Sequence, residues 1–145
     1  MANTFSTQRA KLNTLPLTLT DGNREFDSRV KVNLDVIPYA AQAAADTITC
    51  QSLPKGATPV AFILNTSDTT GTATLAIGDG TTPTYFSGAG AVLTTPDTPT
   101  HRLKTSVAGT KLTAETPVVI TVGVAPLPSA GAGKQLVVHT LYTLD

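Results

Sequence analysis

The sequence is poor in several things that specialised chemistry requires. It has one cysteine, Cys50, and no tryptophan among 145 residues. One thiol can close no internal disulfide and build no cysteine-based zinc site. Charged side chains make up only 14% of the chain, ten basic and ten acidic, so the formal net charge is zero. Such a balance creates no field to gather nucleic acid or an anionic membrane. No Lys or Arg occurs between Gly56 and His101 to form a basic stripe. No apolar run approaches the ~18 residues of a membrane span. The longest, Val60–Leu64, has the length of a strand. Residues 1–11 lack the apolar stretch of a signal peptide, so folding in a reducing cytosol is expected. The low hydrophobicity and high net charge of disordered chains are missing as well.

What is present is threonine, 27 times. Its branched β-carbon favours half-buried strands. A chain of this length buries roughly 70% of its unfolded surface in a single core. The clearest strand is Arg29–Val36, where Val30, Val32, Leu34 and Val36 alternate with Arg29, Lys31, Asn33 and Asp35. Period-two alternation predicts an apolar face buried and a polar face wet. Further strands are expected at Thr47–Leu53, Val60–Asn65, Thr72–Gly78, Thr84–Ser87 with Val92–Thr94, Pro117–Val124 and Gln135–Leu144. Gly- and Pro-rich corners separate them. Residues 100–116 read as an edge strand or a long loop. The expected architecture is all-β: a β-sandwich or jelly roll of about 7–9 short antiparallel strands. Residues 1–15 lack core periodicity and carry Arg9 and Lys11 with no acid before Asp21. They read as an extended N-terminal arm ahead of a single β-sandwich domain spanning 16–145.

Reactive constellations are hard to find. Gly131-Ala-Gly133-Lys134-Gln135 imitates a phosphate loop, but Pro128 stands where that motif needs its first glycine and Gln135 replaces the hydroxyl. His101 and His139 have no neighbouring ligand at short spacing and are expected at the surface or rim. Asp79-Gly80 reads as a tight turn rather than a calcium loop. There is no Gly-x-Ser-x-Gly elbow. The ten carboxylates are scattered with no spacing that selects an acid/base pair. Cys50, in an alternating segment, reads as a small buried hydrophobe. These features argue against an enzyme, a cofactor or a metal site.

Three blocks, in order, carry a resemblance. They are Tyr39–Ile48 with Leu53-Pro-Lys-Gly-Ala57, then Gly71–Gly78 with Tyr85 and Ala89–Pro99, then Leu112–Pro128 ending in a strand with Leu141-Tyr142. Together they resemble the head decoration or capsid structural (cement) proteins of tailed bacteriophages. Such relatives usually keep a glycine before Asp46, where this chain has Ala45. The resemblance implies a virion structural protein that binds the outer surface of the assembled capsid and stabilises it. It would be assembled in the bacterial host cytoplasm, with the major capsid protein lattice as partner. A homo-oligomer, trimer or dimer, is implied, and no catalytic residue is carried over. On this reading the arm lies on the capsid, and Phe5, Arg9, Lys11 and Leu12 are the expected contact residues. The competing expectation is a carbohydrate- or receptor-binding sandwich of a phage tail or adhesin. It would require an exposed aromatic cluster such as Tyr39, Tyr85 and Phe86.

Overall fold

The computed structural model describes residues 30–144. The boundary expected between residues 15 and 16 lies outside them, as do Phe5, Arg9, Lys11 and Leu12. Among the described residues there is no helix, and seven strands run in order. They are β1 (Val30–Pro38), β2 (Thr47–Thr49), β3 (Ala57–Thr66), β4 (Thr74–Gly78), β5 (Thr100–His101), β6 (Val119–Gly123) and β7 (Gln135–Leu144). A four-stranded sheet in the order β1-β7-β3-β5 faces a three-stranded sheet in the order β2-β6-β4. All pairings are antiparallel.

The pairings are nested. β1 pairs with β7, β2 with β6 and β3 with β5, while β4 closes on a single bridge between Leu75 and Ala91. The chain is thus one long ribbon doubled on itself and wound so that successive strands fall in opposite sheets. That is a jelly roll whose eighth strand has shrunk to one bridge. The expectation of an all-β sandwich holds.

Alternation explains which residues meet inside. Phe62 and Leu64 of β3 and Leu136 and Val138 of β7 face Leu75 and Ile77 of β4 and Ile120 and Val122 of β6, all with no exposed surface. Fully burying each such side chain contributes about 1.5–3 kcal/mol. Phe86 joins this core from a loop, its ring centroid 4.9 Å from that of Phe62. Threonines Thr58, Thr66 and Thr140 lie buried in the strands as well.

Several local expectations give way. Thr84–Ser87 is a turn, not a strand: Tyr85 N–H donates to the Thr82 carbonyl at 3.1 Å and Gly88 N–H to Thr84 at 3.1 Å. The amides of Phe86 and Ser87 both donate to the Ile77 carbonyl, which draws the Phe86 ring into the core. Val92–Thr94 makes no ladder either; Leu93 N–H is held by the Thr70 hydroxyl at 3.0 Å. The stretch 100–116 contributes the two residues of β5 and a bridge between Leu53 and Thr116. Pro117–Val124 ends early, because Val124 adopts φ 66° and leaves 80% of its surface exposed.

The largest correction concerns β1. Its apolar residues Val30, Val32, Leu34 and Val36 point outward, each more than half exposed. Asn33 and Asp35 are half-buried on the opposite face instead, while Lys31 stays exposed. A three-stranded sheet cannot cover all of a four-stranded one, and β1 is the edge strand. Asp35 is met there by the segment after β2, its carboxylate accepting the Gln51 N–H at 3.2 Å. Only Ile37, on the same face, packs against the core.

Ala45 occupies φ 75°, a left-handed conformation. A Cβ in that conformation costs about 1–2 kcal/mol, which a glycine would avoid. Ala45→Gly is expected to raise unfolding free energy by about 0.5–1 kcal/mol after the extra chain entropy of glycine is subtracted. A shift of the urea midpoint to higher concentration at unchanged slope is the check.

Candidate interaction surfaces

Two surfaces stand out. The first is the outer face of the four-stranded sheet. The ladder puts Val32 beside Leu141 and Val36 beside Val137 on β7. The same register sets Leu34, His139, Ile63 and His101 in one row across β1, β7, β3 and β5. His139 is half-buried and His101 exposed, as expected for surface or rim positions, yet the fold brings the two to either side of Ile63. Nothing in their sequence spacing signals that. A bulge between Pro59 and Ala61 leaves Val60 exposed near this face.

The second surface is a loop pair at one end of the three-stranded sheet. Residues 40–46 and 122–128 are cross-linked by backbone bonds: Ala45 N–H to Val122 at 2.7 Å, Leu127 N–H to Gln42 at 2.9 Å and Ala41 N–H to Pro128 at 3.3 Å. Ala41, Ala45 and Val124 all have positive φ here. Left-handed alanines and valine cost of order 1–3 kcal/mol each and persist only where neighbours over-determine them. The loops are therefore built as a fixed shape.

Several ionisable groups are engaged in structure. Lys134 of the glycine-rich loop pairs with Asp68 at 3.1 Å, so the amine that imitated a phosphate ligand answers a carboxylate. The hydrogen bond from Lys134 holds the Asp68 carboxyl below its usual range. Its contribution is present above the unfolded carboxylate pKa and is lost as pH falls through the lower folded value. Asp79 accepts from the amides of Thr81 at 3.0 Å and Thr82 at 2.6 Å, and Gly80 has φ 86°, giving the expected turn. Cys50 is buried, and that burial pushes its thiol up to about 12. A thiol so protonated is a poor nucleophile.

No group of three or more His, Cys, Asp or Glu side chains converges among the described residues. No helix there is long and apolar enough to cross a membrane. A depression of about 280 Å³ between Asp79, Tyr85, Lys111 and Thr116 falls below the ~300–1,000 Å³ of ligand pockets and contains one carboxylate. The aromatic cluster that a sugar-binding surface requires is absent from the described residues: Tyr39 and Phe86 are buried, and Tyr85 packs edge-on against Phe86 at 4.9 Å. Tyr39 spends its hydroxyl on the Asp68 carbonyl at 2.9 Å.

A jelly roll with no convergent reactive groups among its described residues has an architecture used for assembly as well as for binding. No protein-family model and no curated protein sequence matches the chain. Solved structures do. A chain of the cyanophage Pam1 capsid asymmetric unit shares the fold at a TM-score of 0.65 and 23% identity, over 81% of this chain and 86% of that one. A chain of the capsid of Ralstonia phage GP4 does so at 0.62 and 23%, over 83% and 86%. A chain in the acid-stable capsid of Helicobacter pylori bacteriophage KHP30 follows at 0.54 and 20%, over 79% and 87%. At these identities the likeness is one of fold, spanning nearly the full length of each partner.

Proposed function

We propose that the protein is a virion structural subunit that binds the outside of an assembled phage capsid and reinforces it, acting as a homo-oligomer, a dimer or a trimer, without catalytic activity. The observation that carries this reading is the shared fold, over about four-fifths of the chain, with chains from three phage capsid structures. The surfaces fit the role: reinforcement needs area and fixed shape rather than a reactive cleft. A specific contact of this kind buries on the order of 1,200–2,000 Å². Repetition over a lattice, or several contacts within one oligomer, then multiplies weak binding into high occupancy. Outward apolar residues on β1 and rigid loops at the end of the other sheet supply shape on a protein with no net charge.

Residues 1–15 are assigned to the capsid side, with Arg9 and Lys11 meeting acidic capsid surface and Phe5 and Leu12 docking beside them. The subunits are synthesised and assembled in the host cytoplasm and end on the capsid exterior. Mixing purified empty capsids with the protein and counting bound copies by electron microscopy tests this directly. External density of this mass distributed over the lattice is the expected result; density confined to a tail tip overturns it. Removing residues 1–15 is expected to cut occupancy at least tenfold at physiological salt, and Arg9→Glu with Lys11→Glu to do most of the same. Undiminished occupancy after the deletion removes the arm from the interface.

A further inference from the structure

The four side chains on the outward face of β1 expose 53% (Val30), 55% (Val32), 52% (Leu34) and 52% (Val36) of their surface. Val137 and Leu141 extend the strip onto β7. This reverses the usual strand pattern, in which the apolar face is the buried one. Contiguous apolar surface of a few hundred Å² on a soluble chain marks a contact site. No Asp, Glu, Lys or Arg occupies this face along β1, along Val137–Leu141 of β7 or at Ile63 and Asn65 of β3.

We propose that this face is where a second copy of the same chain docks, sheet against sheet. Three features select that occupant. The face has no Asp, Glu, Lys or Arg, only His139 and, at its β5 margin, His101 as ionisable groups. It therefore offers a charged partner little to complement, whereas a mainly apolar face can cover its own copy across a two-fold axis. Its dimensions suffice: three strands about 4.8 Å apart and seven residues at about 3.3 Å give a plane of roughly 15 by 23 Å. Two such faces stacked ~10 Å apart, with their side-chain relief, bury on the order of 1,000 Å², the lower bound of a stable interface. Finally, the middle of β1's free edge is taken. Gln51 Nε2 donates to the Leu34 carbonyl at 3.2 Å, so continuous edge-to-edge pairing along β1 is blocked and the face is what is left to cover. This deepens the oligomer part of the proposed function and owes nothing to its capsid part.

The test uses the full chain in sedimentation velocity across micromolar concentrations, with Val32→Asp and Leu34→Lys as the disrupting pair. Both positions are more than half exposed, so the fold is retained, which an unchanged thermal melt of the dilute protein verifies. The wild type is expected to associate, and the double variant to weaken association at least 100-fold. As a second readout, Leu34→Cys is expected to cross-link into dimers with a short bismaleimide, against a silent background because Cys50 is buried; Thr72→Cys, exposed beyond the face, is expected to stay monomeric. A wild type that is monomeric at 100 μM overturns the proposal, as does a double variant that associates like the wild type. A monomer that dimerises only after residues 1–20 are removed also overturns it, giving the face to the chain's own N-terminal segment. Loss of capsid occupancy by a variant of an already monomeric protein would assign the face to the capsid instead. A wild type that associates through this face yet leaves capsids bare supports the contact and overturns only the capsid reading.

Discussion

Gly78→Ala is expected to be among the most damaging single changes in the protein, lowering stability by about 3 kcal/mol or abolishing folding. A Cβ at Gly78 would collide with the backbone carbonyl oxygen of Thr82 and come within 2.7 Å of the Pro83 backbone. Backbone cannot step aside as a flexible side chain can. The loop that starts at Asp79 folds back over the end of β4, and its turn, held by the Asp79 carboxylate, depends on that close approach. Gly131→Ala is the matched control: the nearest atoms to its Cβ belong to the flexible Lys134 side chain, at 2.9 Å and beyond, which can shift at the cost of no more than its exposed pair with Asp68. Guanidinium titrations should show a large drop in midpoint for the first and a shift within about 0.5 kcal/mol for the second. Equal midpoints for Gly78→Ala and wild type would show that the loop is not seated as described.

Phe86→Ala is expected to cost about 3–5 kcal/mol, the range for deleting a fully buried aromatic ring. The ring stacks at a tilt on Phe62 and receives the edge of Tyr85, each with centroids 4.9 Å apart. The backbone of the same residue ties the loop between β4 and β5 to the segment after β5, its carbonyl accepting the Lys104 N–H at 2.7 Å. Truncation leaves a cavity against Phe62 and removes the ring that anchors the loop in the core, while the backbone bond to Lys104 remains. Phe86→Leu should recover part of the loss by refilling volume without the ring contacts. Chemical denaturation of both variants measures the difference, and a cost under 1 kcal/mol for the alanine variant would contradict the packing.

Phe86 also shows where sequence reasoning stops. Thr84–Ser87 has the composition of a strand, and local propensity cannot show that two of its amides will be claimed by the carbonyl of Ile77. By contrast, the alternation of Leu136, Val138, Thr140 and Tyr142 was fully legible, because β7 lies between two neighbours and one of its faces is buried along its length. β1 alternates just as cleanly, and there the pattern misleads. Periodicity shows that two faces differ; which one is wet depends on what lies opposite, and at the sheet edge that is Gln51 rather than a core. Strand order was illegible for a related reason. Every nested pairing joins distant segments, so no turn motif announces it. The outer face inherits both difficulties: its residues were visible, but their assembly with His101, His139 and Ile63 required the register. Phe5, Arg9, Lys11 and Leu12 remain readings of the sequence, awaiting the occupancy measurement.

The nested ribbon has a consequence for biosynthesis. β7 is the strand between β1 and β3, and Val30 finds its ladder partner at Thr143. The four-stranded sheet therefore cannot close while the ribosome is still translating residues 135–144. Until then β1 and β3 wait with open edges, and because long loops must close before their contacts stabilise anything, such topologies fold slowly. A nascent chain of this design is exposed to misassociation on the polysome for most of its synthesis.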